Sequence, residues 1–229
     1  MPTPPVGFEF HSKFSQVNEQ YGQICKAIRK KLTEYPEVDT WYLKLLMVLA
    51  TEILSNCREL SKAHTEDTIS RGAWATRNLL ELQVWGRYVL RSMEDARRFY
   101  EDAICDVDTL LKSFEKSSGL AADDAKQAIQ RSREMLNPDT WDLLEQVTQE
   151  DTYLSVAKIA QDLGDGAGFG VLNRFLSKLV HPTSFYLQSR LNKYTTENWF
   201  AALFDVAAGL MDAALPTLLA KLRELTETS

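Results

Sequence analysis

Cysteine and histidine are scarce in this chain, and the few present are not arranged as metal ligands. The 229 residues include three cysteines and three histidines. Cys25, Cys57 and Cys105 lie far apart within helical patterns, whereas zinc sites and disulfide frameworks use close or paired spacings. We therefore expect no metal, no bound cofactor and reduced thiols, as is typical of a cytoplasmic protein.

Several catalytic and export signatures are also missing. The chain has no Gly-x-Ser-x-Gly elbow, no His-Glu-x-x-His and no P-loop, so three common routes to hydrolase and nucleotidase chemistry are not indicated. The N-terminal stretch Met1 to Gly7 is proline-rich and has no apolar h-region. No secretory signal is expected there.

Excess positive charge is lacking as well. The net charge is −6, and the sequence pI is about 5.2. A protein that covers a nucleic-acid duplex usually presents a broad basic surface. The negative net charge argues against a broad nucleic-acid-binding surface, but it is compatible with a small local site.

No strand alternation and no internal repeat are present, and apolar residues instead recur with the period of an α-helix. We predict one all-α domain over residues 1–229, a bundle of long antiparallel helices with short peripheral helices. Five segments are expected to build its core: Trp41–Ala63, Ile69–Ser92, Glu94–Leu111, Val171–His181 and Asn198–Leu225.

Three segments between and beyond these helices have distinctive composition. Residues 1–10 are predicted as an irregular N-terminal arm. The glycines of Gly164–Gly170 are expected to form a loop that turns tightly before a helix. Residues 196–226 are predicted as a long, apolar C-terminal helix with a kink at Pro216.

The C-terminal helix is apolar enough to raise the question of a membrane. Asp205, Asp212 and Pro216 interrupt it, and a buried carboxylate is costly in lipid. Its many alanines allow close packing instead, against a helix of the same chain or of a second subunit. We expect no membrane contact and allow for a homodimer formed through apolar helices.

Arg174, Ser177 and His181 are the most informative polar residues. Arg174 and His181 are separated by seven positions, which on an α-helix falls about 20° short of two turns. Ser177 lies between them on the same face. An Arg, a hydroxyl and a His on one stripe can bind a phosphate and move a proton, and they can equally form a satisfied polar patch in a helical core.

A second polar set occurs on the apolar helix that contains Arg77 and Glu81. Their i,i+4 spacing predicts an ion pair. Glu81 has three candidate partners, Arg77, Arg174 and His181, and a contact with His181 would orient the imidazole. The alternative is an ordinary surface pair.

These two stretches together resemble HEPN domains (higher eukaryotes and prokaryotes nucleotide-binding) and related bacterial proteins of unknown function. Arg174 and His181 match the Arg-x(4–6)-His motif, and Ser177 to Pro182 matches a Ser-x-x-x-His-Pro segment that follows an Arg-x-x-x-Glu helix, here Arg77 to Glu81. Phe175 stands where active members usually have a polar residue. The resemblance covers a minority of the chain.

The resemblance implies a helical bundle that often dimerises and, in active members, a metal-independent ribonuclease of a toxin or antiphage defence system. Arg174 would bind the scissile phosphate of RNA, and His181 would act as base or acid. Such proteins also have protein partners such as antitoxins. The competing interpretation is a non-catalytic interaction protein, in which the Arg, Glu and His residues form a buried structural network.

Overall fold

The computed structural model describes residues 6–34, 41–100, 102, 127, 154–181, 183–189, 191 and 193–227. Within these ranges the regular structure is entirely helical, which confirms the all-α prediction. The helices are α1 (Phe8–Glu34), α2 (Trp41–Thr65), α3 (Ile69–Arg91), α4 (Val156–Asp162), α5 (Gly166–Val180), α6 (Ser184–Ser189) and α7 (Lys193–Glu227). Residues 93–100 are also helical.

The chain divides into two compact units. One unit contains residues 1–88 and 156–229, and the other contains residues 89–155. In the second unit, the Ser92 hydroxyl accepts the backbone N–H of Asp95 at 3.0 Å and caps the helix over residues 93–100. Most of the predicted core segment Glu94–Leu111 lies outside the described residues. The single-domain organisation stays a prediction.

In the first unit, α7 packs against α1 and α2. α1 buries only a narrow stripe, since Phe10, Ile24 and Ile28 are covered while its other faces remain polar. α7 is apolar on several faces and supplies the large side chains at the centre, including Phe200 and Phe204, both 1% exposed. This packing makes the C-terminal helix a central element of the core.

Ala214, one of the small residues of α7, contacts a helix of the same chain. A Cβ atom placed on Gly86 of α3 would lie 3.6 Å from the Ala214 Cβ and 3.3 Å from Leu218. A Cβ atom placed on Gly72 of α3 would lie 3.0 Å from the Phe200 ring. Glycine in α3 and alanine in α7 therefore bring these two helices close together.

The N-terminal arm is shorter than predicted. Residues 1–10 were expected to be irregular, whereas α1 begins at Phe8 and Phe10 is buried. The chain enters α1 through Gly7, whose φ is +76° and whose missing Cβ would lie 2.7 Å from the Phe204 ring. Only glycine satisfies both constraints without strain, which explains why the helix begins directly after it.

The loop predicted over Gly164–Gly170 is also wrong in its extent, because α5 already begins at Gly166. Gly164 alone has a left-handed φ, +84°. The backbone N–H of Gly164 donates to Gln161 at 3.0 Å and that of Asp165 donates to Ala160 at 2.8 Å. These bonds form a Schellman motif that ends α4, so one glycine is enough to turn the chain.

The C-terminal helix prediction is confirmed in type and position, with α7 running from Lys193 to Glu227 through Pro216. The kink expected at Pro216 stays a prediction. Within the described part of the chain, residues Thr196–Glu227 alone are long and apolar enough to cross a membrane, and half of the apolar window is buried inside the fold. A core helix meets the same length and hydropathy criteria, and the expectation of no membrane contact stays a prediction.

A buried lysine caps the C-terminal end of α7. Lys31 of α1 is 8% exposed, and its Nζ donates to the carbonyls of Leu225 at 2.6 Å and Thr226 at 3.2 Å. These carbonyls belong to the last turn of α7, where backbone acceptors lack partners within the helix and the helix dipole favours positive charge.

Replacing Lys31 with Met is expected to lower the free energy of unfolding by about 2 kcal/mol, because two charge-assisted hydrogen bonds are lost while the apolar stem is retained. Chemical denaturation measured by circular dichroism gives this difference. Lys26→Met, at an exposed position of the same helix, is the control and should change stability by less than about 0.5 kcal/mol. Equal losses for both variants would contradict a capping role for Lys31.

Candidate functional site

Helix α5 carries the predicted stripe. Its inner face is apolar, with Phe169, Leu176 and Leu179 buried. At its start, the Asp165 carboxylate makes no capping bond to the helix and instead forms an ion pair with Arg87 of α3. The buried face and this ion pair fix the rotation of α5, so that its polar face points to solvent.

Arg174 lies on the exposed face of α5. Its Nε donates to the backbone carbonyl of Gly170 at 3.1 Å, one turn earlier in the same helix. This is its one hydrogen bond to the described part of the chain, and it leaves the two Nη atoms available to another acceptor. A planar guanidinium with free Nη donors is well suited to bind a phosphate.

His181 is the residue at which α5 ends. Its backbone is extended, with φ −92° and ψ 150°, and its N–H donates to the carbonyl of Ser177 at 3.3 Å. The following Pro182 favours this extended conformation. The imidazole is exposed and makes no hydrogen bond to the described residues, while Ser177 is half-buried between His181 and Arg174.

The predicted Arg77–Glu81 ion pair is present, with 3.1 Å between Arg77 Nη2 and Glu81 Oε1. Both side chains are half-buried, at 35% and 32% exposure. Arg77 Nε also donates to Asn173 Oδ1 of α5 at 2.9 Å. Of the three partners considered for Glu81, the structure therefore places Arg77 beside it.

The structure thus separates the predicted residues into two groups. Arg77 and Glu81 form a half-buried network with Asn173 that ties α3 to α5. Arg174 and His181 are exposed and take no part in it. The described residues therefore do not form a buried network that includes His181, and Glu81 does not contact its imidazole.

Sequence reasoning missed two residues of this region. Asn173 is the acceptor that links α5 to Arg77, and Lys178 lies on the same exposed face as Arg174 and His181. Lys178 follows Arg174 by four positions and precedes His181 by three. The helical spacing that singled out Arg174 and His181 applies equally to Lys178.

Phe175 has a structural role. Its ring is half-buried and contacts Trp199 of α7, with 5.5 Å between the ring centroids. An apolar residue directly after Arg174 thus attaches α5 to α7. This contact accounts for an apolar residue at position 175.

Two other kinds of chemistry receive no support from the described residues. No group of three or more His, Cys, Asp or Glu side chains there is arranged to hold a metal ion. Burial raises the pKa of the Cys57 thiol to about 12, so it stays protonated at neutral pH and is a poor nucleophile.

No protein-family model matches the sequence, and neither the curated proteins nor the solved structures contain a match.

Proposed function

We propose that this protein is a cytoplasmic, metal-independent endoribonuclease of a toxin or antiphage defence system. The observation that carries the proposal is the exposure of Arg174 in α5 and of His181 at its C-terminal end, with no described carboxylate paired to either. A catalytic Arg and His must be accessible to solvent and substrate, and both of these side chains meet that requirement.

In the proposed reaction, Arg174 binds the scissile phosphate and stabilises the charge that develops on its oxygens. His181 accepts the proton of the ribose 2′-hydroxyl. The 2′-oxygen bonds to phosphorus while the bond from phosphorus to the 5′-oxygen breaks, and the proton passes on to that 5′-oxygen. The products are a 2′,3′-cyclic phosphate and a 5′-hydroxyl, and the reaction needs no metal.

A helical interaction protein is the second candidate. Phe185 and Leu187 of α6, and Leu191 after it, are exposed apolar residues, with Leu191 at 87% exposure. Exposed apolar side chains of this size are suited to a protein partner, such as an antitoxin or a second copy of the chain. A protein partner bound at these apolar residues is compatible with the nuclease proposal.

The proposal is tested by incubating the purified protein with RNA and with DNA of the same sequence, in excess EDTA. We expect cleavage of the RNA alone, with 2′,3′-cyclic phosphate ends. A double variant, Arg174→Ala with His181→Ala, purified identically, controls for contaminating ribonuclease. Intact RNA, or equal cleavage by the double variant, would leave the interaction protein as the better interpretation.

A further inference from the structure

The exposed face of α5 contains a second cation beside Arg174. Arg174 and Lys178 are both exposed and are separated by one turn, which corresponds to about 6 Å along the helix axis and about 40° of rotation. That separation is comparable to the distance between successive phosphates of an extended nucleic-acid strand. His181 lies one further turn along the same face.

These cations differ from the arginines of the adjacent helix α3. Arg71, Arg77 and Arg87 are each paired with a carboxylate. Neither Arg174 nor Lys178 has a carboxylate partner among the described residues. In a chain with a net charge of −6, this face combines two unneutralised cations, which is the charge pattern that a polyanion requires.

An exposed aromatic ring accompanies the cations. Phe185 of α6 is 46% exposed, and its ring meets Trp199 edge-on, with 5.5 Å between the centroids. Trp199 in turn contacts Phe175, the residue next to Arg174. Phe175, Phe185 and Trp199 thus form one aromatic group that links α5, α6 and α7, and Phe185 is its most exposed member.

We propose that Lys178 binds the phosphate adjacent to the scissile one and that Phe185 stacks on an unpaired base, so that the site takes single-stranded RNA. Cations that follow the backbone together with an aromatic platform are the usual means of binding single strands. The inference depends on the proposed function for its assignment of Arg174 to the scissile phosphate. Lys178 and Phe185 are positioning residues, and neither performs the proton transfer.

Binding of a short 2′-O-methyl oligoribonucleotide tests the role of Lys178, because this ligand lacks the attacking hydroxyl and stays intact with the wild-type protein. Fluorescence anisotropy gives Kd at several salt concentrations. For Lys178→Ala we expect weaker binding and a slope of log Kd against log salt that is smaller by about 0.7, the contribution of one phosphate contact on a single strand. The matched control, Lys158→Ala at an exposed position of α4, should keep the wild-type slope.

The same measurement tests Phe185. We expect Phe185→Leu to weaken binding by roughly 5- to 100-fold with an unchanged salt slope, since stacking is lost while the charges remain. Phe8→Leu, at an exposed position of α1, should bind normally. A duplex of the same sequence should bind more weakly than the single strand.

The outcomes distinguish this inference from the proposed function. An unchanged slope for Lys178→Ala, an equal change for Lys158→Ala, or preference for the duplex would overturn the inference even if the wild-type protein cleaves RNA. If Lys178→Ala lowers the salt slope and Phe185→Leu weakens binding as expected, the single-strand site is supported. If RNA also stays intact in the cleavage assay, the proposed nuclease activity is overturned.

Discussion

Replacing His181 with Ala is expected to lower the rate of RNA cleavage by about 10²- to 10⁴-fold, the usual contribution of a positioned acid or base. The imidazole is exposed and makes no hydrogen bond to the described residues. The backbone bond from His181 to Ser177 does not involve the side chain. The variant should therefore unfold within about 0.5 kcal/mol of wild type, so that any loss of activity reports on chemistry.

Single-turnover cleavage of a labelled RNA, together with a denaturation curve, measures both quantities. Binding of the uncleavable 2′-O-methyl strand should be nearly unchanged in His181→Ala, whereas Arg174→Ala should weaken both binding and cleavage. Arg223→Ala, at an exposed position of α7, is the matched arginine control and should behave as wild type. Wild-type cleavage rates for His181→Ala would remove this residue from the mechanism.

Replacing Phe204 with Ala is expected to lower the free energy of unfolding by about 3 to 5 kcal/mol. Phe204 is 1% exposed. Its ring lies 4.9 Å from that of Phe10 and 5.2 Å from that of His64, measured between centroids. It also packs directly on Gly7. The substitution leaves a cavity among α1, α2 and α7, where the surrounding helices can close only in part.

Phe8→Ala provides the control, since it makes the same chemical change at a position of α1 that is 58% exposed. It should lower the free energy of unfolding by less than about 1 kcal/mol. Denaturant midpoints, compared at equal m-values, give both differences. Similar losses for the two variants would show that Phe204 is not central to the core.

The all-α class and the positions of the long helices could be predicted from local pattern. Long apolar stretches predicted α2 and α7 to within about three residues at each end, because a helix buried on more than one face must be apolar at most of its positions. The i,i+4 spacing of Arg77 and Glu81 predicted their ion pair, because residues one turn apart are neighbours on a helix surface. The predicted bounds were wrong at the ends of helices. There, Gly7 with its left-handed φ directly precedes α1, and Gly164 with its left-handed φ ends α4.

The site itself could be predicted only in part. Spacing placed Arg174, Ser177 and His181 on one face of a helix, but it could not decide whether that face was buried or exposed. It also left Lys178 unassigned, although the same spacing includes it. The contact between Arg77 and Asn173 joins residues that are 96 positions apart, and no local pattern contains that information.

The sequence by itself determined which residues form helices and which side chains share a helix face, because both depend on interactions within a few residues. Tertiary structure alone decided that α7 packs against α1, α2 and α3, and that Arg77 bonds to Asn173 while Arg174, Lys178 and His181 remain in solvent. The physical reason is that the rotation of each helix is set by the packing of its apolar face against distant partners. For α5, burial of Phe169, Leu176 and Leu179 turns the cationic face outward.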